Sequence, residues 1–108
     1  MKSKPDELNT GLKPKIFNLL NEVFSTYEAI DTVVLYGSRA KGTYHAGSDI
    51  DITITGKNFK NSLVGKIEDD IDNLLLPYSF DISSWSQIDN DELRAHIERV
   101  GIIIYQGL

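Results

Sequence analysis

The sequence predicts one α/β (α+β) domain, a small mixed β-sheet with helices packed on one face. Two observations predict it. Stretches with apolar residues at helical spacing alternate with short β-branched stretches along the 108 residues. The chain is also long enough for one hydrophobic core and too short for two. Residues 1–108 are therefore read as a single domain, with 1–12, which carry Pro5, Gly11 and many polar groups, expected to be loosely held.

The elements follow in order. Pro14 suits the first turn of a helix, and Ile16, Phe17, Leu19, Leu20, Val23, Phe24 and Tyr27 recur at helical spacing, so a helix is expected from about Lys13 to Thr26. Thr32-Val33-Val34-Leu35-Tyr36 is β-branched and aromatic and stops at Gly37, the pattern of a buried strand. A glycine-containing loop leads to Asp49-Ile50-Asp51-Ile52-Thr53-Ile54-Thr55, whose strict alternation puts Ile50, Ile52 and Ile54 on the core face. Leu63, Ile67, Ile71, Leu74 and Leu75 mark a helix over about Asn61 to Leu75, which Pro77 prevents from continuing. Tyr78 to Ser83 alternates again, Phe80 and Ile82 inward and Asp81 on the other face. A last helix begins at Asp89 or Asn90, buries Leu93, Ile97 and Val100, and ends at Gly101 before a closing strand from Ile102 to Tyr105.

Composition excludes several classes. Sixteen acidic residues against eleven Lys and Arg give a net charge of −5, so the broad basic footprint of a non-specific nucleic-acid binder is missing and direct nucleic-acid binding is not expected. With no cysteine there is neither a disulfide scaffold nor a thiolate zinc site, which fits a reducing, cytoplasmic setting. The longest apolar runs are far too short to span a bilayer, and Met1 to Asp6 shows no signal-peptide pattern.

The chemistry concentrates in the middle of the chain. Asp49 and Asp51 are two apart on a strand and project from one face, roughly 6–7 Å apart at their roots. Like charges so close repel, and a divalent cation removes the conflict. Magnesium takes oxygen ligands, commonly one or two carboxylates plus substrate phosphates and water. Asp81 on a neighbouring strand completes an expected three-carboxylate cluster able to hold two ions. An isolated Asp-x-Asp is more often a solvated strand face, and Gly37-Ser38 alone is more often a tight turn. Together they say more, because glycine lets the backbone approach a ligand and the N–H groups and the Ser38 hydroxyl can donate to phosphate oxygens. Gly37 to Thr43 is not a phosphate-binding Walker loop, since Thr43 and Tyr44 stand after the second glycine where Lys and Ser/Thr are required.

Gly37-Ser38, ten residues from Arg39 to Ser48, then Asp49-Ile50-Asp51, resembles the signature of the DNA polymerase β-like nucleotidyltransferase superfamily. The wording Leu35 to Gly42 and Gly47 to Asp51 is similar to its minimal nucleotidyltransferase branch, as are Asp81 at the third carboxylate position and the ending Val100 to Tyr105. The resemblance covers most of residues 13–105. It implies transfer of a nucleoside monophosphate, AMP from ATP, to a hydroxyl acceptor with two Mg²⁺ ions. Asp49 and Asp51 would be shared metal ligands and Asp81 a third ligand or general base. Gly37 and Ser38 would hold the triphosphate, with Arg39 and Ser48 among the nucleotide-binding residues. It implies a small all-helical partner of HEPN or substrate-binding type, whose tyrosine is the acceptor in some toxin–antitoxin pairs. Transfer to a small hydroxyl compound and non-catalytic neutralisation of a partner by contact are the alternatives.

Other residues draw plainer readings. Arg39 either meets phosphate or pairs with a nearby acid. His45 is a solvated loop residue, and Asp69, Asp70 and Asp72 are solvated charge. Trp85 packs at the sheet edge or stacks on a base, and His96 has no companion at metal-ligand spacing.

Overall fold

The computed structural model describes residues 9–107. The order is α1 (Pro14–Phe24), β1 (Thr32–Tyr36), α2 (Gly37–Lys41), β2 (Ile50–Thr55), α3 (Leu63–Asp72), β3 (Phe80–Ser84), a 3₁₀ turn (Trp85–Gln87), α4 (Asp91–Val100) and β4 (Ile102–Gln106). The strands form one mixed sheet in the order β3-β2-β1-β4. β1 pairs antiparallel with β2 and β4, while β2 and β3 run parallel. No helix among the described residues is long and apolar enough to cross a membrane.

Alternation along the strands sorts side chains onto two faces. Val33, Leu35, Ile50, Ile52, Ile54, Ile82, Ile102 and Ile104 share a buried cluster with Leu20 and Phe24 of α1 and Ile67 and Ile71 of α3. The residues between them face the other way, and there Val34, Tyr36 and Ile103 pack with Ile97, Leu93 and Val100 of α4 and with Ile88. The helices therefore lie on both faces of the sheet, not one. A helix stripe shows which side of the helix is buried but not which face of the sheet receives it.

Local chemistry explains the element ends. Asn90 caps α4, its side-chain oxygen accepting from the Leu93 N–H at 2.9 Å, as its residue type predicts. The expected loop after β1 contains a five-residue helix, closed by Gly42 at φ +80°. α3 stops at Asp72, so Leu75, placed inward by the stripe, lies beyond the helix at φ +56° and is 88% exposed. Residues 1–8 lie outside the described residues, but 9–12 are not loose. Thr10 is 1% exposed and Leu12 joins the main cluster.

Candidate active site

The strand register brings the expected residues to one end of the second face. Tyr36 pairs with Asp51, and Asp51 with Asp81, so all three sit side by side across β1, β2 and β3. Gly37 follows Tyr36 with φ +73°, a conformation an L side chain rarely adopts. A Cβ built on Gly37 would overlap the Asp51 carboxylate. The glycine-serine turn and the Asp-x-Asp strand thus meet in space through the absence of a side chain.

Asp51 is half-buried, and its pKa is raised above the usual 3.8, first by burial, then by the charges of Asp81 and Asp49. Burial also raises the Tyr36 hydroxyl, with Asp81 and Asp51 adding to the effect and a Ser83 hydrogen bond opposing it. Asp49 and Asp81 are exposed. The carboxylates are near enough to repel but do not form the expected compact three-carboxylate cluster. Among the described residues no group of three or more His, Asp or Glu is gathered closely enough to hold a metal ion. Asp49 precedes the first ladder residue of β2 and Asp81 stands on the outermost strand, so the sheet does not draw them inward. The donor set still fits magnesium, which needs only one or two carboxylates when phosphates and water supply the rest of its shell. A cation there would also relieve the repulsion felt at Asp51.

Two residues expected to bind nucleotide have partners within the chain. Arg39 is 2% exposed. Its Nη1 donates to the Thr10 carbonyl at 3.0 Å, while Nη2 and Nε donate to the Ser48 carbonyl at 3.1 and 3.3 Å. The rings of Tyr44 and Tyr78 lie against the guanidinium, their centroids 5.1 and 5.2 Å from its central carbon. These carbonyls and rings use Arg39 where phosphate or a carboxylate was expected. Ser48 turns its hydroxyl to its own loop, accepting from the His45 N–H at 2.9 Å. Ser38 is half-buried at the start of α2, and its carbonyl accepts from the Thr43 N–H at 2.9 Å.

No pattern in the sequence points to His96 at this end. The imidazole of His96 accepts the Gly37 N–H at Nε2, 3.3 Å away, and stands edge-on to the Tyr36 ring. Burial lowers its pKa below 6.5, with help from Arg99 and Lys41. The only local clue is that it precedes the buried Ile97. His45 is exposed, as expected. Trp85 carries the Arg94 guanidinium 3.9 Å from its ring centroid, a stacking partner of the chain's own. Asp70 is half-buried and accepts from the Tyr27 hydroxyl, so it is more than solvated charge.

A mixed sheet with carboxylates at one end of neighbouring strands, against a glycine-serine turn, agrees with the nucleotidyltransferase class that the resemblance implies. The family described as Polymerase beta, Nucleotidyltransferase matches residues 18–107, and the chain belongs to that family. No curated protein matches the sequence significantly. Among solved structures, a chain of a toxin–antitoxin crystal structure with AMP-PNP is 22% identical, with a TM-score of 0.64 over 94% of this chain and 75% of that one. A chain from a rebuilt structure of tri-AMPylated Shewanella oneidensis HEPN toxin in complex with MNT antitoxin is 18% identical, with a TM-score of 0.57 over 95% of this chain and 73% of that one. A chain of the MntA–HepT toxin–antitoxin structure is also 18% identical, with a TM-score of 0.57 over 94% and 73%. These identities establish likeness of fold.

Proposed function

We propose that the chain is a magnesium-dependent adenylyltransferase that moves AMP from ATP to a tyrosine hydroxyl of a small helical HEPN-type partner, in a toxin–antitoxin pair. The observation that carries this is the Asp51 carboxylate seated against the side-chain-free Gly37, with Asp81 beside it in register. Similar folds occurring in structures with AMP-PNP and with an AMPylated HEPN toxin support the choice of nucleotide and partner.

In this reading Asp49 and Asp51 hold the metal, and Gly37 and Ser38 offer main-chain N–H groups and a hydroxyl to the triphosphate. Bound there, magnesium would supply charge neutralisation on the phosphate oxygens and a lower pKa for the attacking hydroxyl. Asp81, exposed at the rim, orients that hydroxyl and accepts its proton as the oxygen attacks the α-phosphorus. The bond from the α-phosphorus to the bridging oxygen breaks, and pyrophosphate leaves. Most of the protein's contribution is positioning and electrostatics.

The test is incubation of the chain with its co-encoded helical protein, Mg²⁺ and ATP labelled on the α-phosphate. Label on a partner tyrosine, lost in the Asp49→Asn, Asp51→Asn double variant, is the expected result. A stable complex that neutralises the partner without label, and equally well with the double variant, establishes inhibition by contact instead.

A further inference from the structure

We propose that Arg39 is a positioning residue that sets Asp49 through the Ser48 carbonyl, and not a contact to the triphosphate. The inference rests on the reading of Asp49 and Asp51 as the metal-holding pair. A guanidinium keeps its charge when buried, so its donors must be satisfied where it lies. Each of its three nitrogens donates once, two of them converging on the single Ser48 oxygen. Moving the group outward to a phosphate would strip the Ser48 and Thr10 carbonyls of these bonds and lift the cation off both tyrosine rings.

The geometry connects this anchor to the site. The Ser48 carbonyl and the Asp49 amide share one rigid peptide plane, so fixing the carbonyl fixes the plane on which Asp49 begins. On its other side, Ile50 is tied into the sheet, its N–H donating to the Ser79 carbonyl at 2.8 Å. Asp49 is therefore an exposed residue held between two fixed points. The N-terminal approach is shaped around the same guanidinium. Gly11 adopts φ +76°, and a Cβ built there would stand 2.9 Å from Arg39 Nη1 and overlap the Tyr44 ring. A lysine keeps the charge but lacks the planar fork that serves Ser48 and Thr10 at once.

The experiment compares the full chain with Arg39→Lys and with Tyr78→Leu, which removes one ring and leaves the three hydrogen bonds. Mn²⁺ binding is read by electron paramagnetic resonance, first without nucleotide and then with a non-hydrolysable ATP analogue, and ATP binding is read without divalent metal. Arg39→Lys is expected to weaken Mn²⁺ binding roughly tenfold, as loss of a group that orients a ligand does. It should leave metal-free ATP affinity within about twofold, because no phosphate contact is lost. Its kcat should fall more than its KM for ATP rises. Tyr78→Leu should shift Mn²⁺ binding in the same direction by less. Loss of metal-free ATP affinity with unchanged Mn²⁺ binding overturns the proposal and makes Arg39 a phosphate contact. If Arg39→Lys does not melt cooperatively, Tyr78→Leu carries the test, and unchanged Mn²⁺ affinity in that folded variant also overturns it. A wild-type chain that binds no Mn²⁺ even with the ATP analogue present defeats the underlying reading of Asp49 and Asp51. A wild type that binds Mn²⁺, beside a folded Arg39→Lys that binds it equally, defeats only the role of Arg39.

Discussion

The two faces of the sheet come from the same residues read alternately, yet they are finished differently. On the first face, Ile50, Ile52 and Ile54 meet α1 and α3, and the cover runs the length of the strands. On the second, α4 covers Val34, Tyr36 and Ile103, while Asp51 stays half-buried and Asp81 exposed. The contrast shows how a chain this small divides its labour. One face supplies most of the burial, which lets the other keep carboxylates close together at a standing electrostatic cost.

Asp51→Asn breaks the contrast most sharply. Nucleotidyl transfer should fall roughly a thousandfold, on the scale of losing a central electrostatic group. Stability in metal-free buffer at pH 7 should move the other way, with Tm rising by roughly 1–3 °C, as relief of a partly solvent-screened repulsion permits. The sign follows from the raised pKa of Asp51. The ionised carboxylate opposes folding, so the cost is absent below the usual 3.8 and complete once pH has risen through the folded value. The Tm difference should accordingly vanish in acid. A lower Tm at pH 7 means that the Asp51 carboxylate supports the fold, and the assigned cost is wrong.

Truncations measure the two covers directly. Leu20 and Ile97 are both fully buried, one under the first face and one on the second. Leu20→Ala should cost about 3–5 kcal/mol and Ile97→Ala about 2–3 kcal/mol in urea unfolding, because the smaller cluster can collapse around the loss. Ile97→Ala should also depress activity per folded molecule, since α4 carries the His96 that holds the Gly37 N–H. Leu20→Ala should not. Equal costs in stability and activity would show that the faces are not specialised.

What the sequence disclosed follows the range of each interaction. The Ile50–Ile52–Ile54 alternation is a property of neighbours, so the core face of β2 and the side taken by Asp51 were legible. The recurrence of alternation at Phe80–Asp81–Ile82 likewise placed Asp81 on a face, and parallel pairing aligned it with Asp51. α2 was not legible, because five residues opening on a glycine are too few to display a period. Nor was the environment of Arg39. The motif around it matches a phosphate site, while its partners Thr10 and Tyr78 lie far away in sequence. His96 reaches Gly37 across 59 positions, a contact that no local pattern carries. Leu75 misled for the opposite reason, fitting a stripe whose helix had already ended.

The smallest effect is expected at the rim of the first face, where the Tyr27 hydroxyl donates to Asp70 of α3. That bond, then burial, then the charges of Asp70 and Asp69 push the Tyr27 pKa up from 10.0 to about 12. The protonated phenol is the form that donates, so its contribution is whole below pH 10 and is lost as pH rises through about 12. Tyr27→Phe should cost about 0.5–1 kcal/mol at pH 8, the scale of one partly exposed hydrogen bond, with transfer activity unchanged. The stability gap between wild type and variant should close across that alkaline window, and absorbance titration of wild type should show one tyrosine ionising late. A gap that persists above it means that Tyr27 acts through packing alone. The two faces then differ in electrostatic sign as well as in cover: the ionisable pair on the first supports the fold at neutral pH, whereas the carboxylates on the second oppose it.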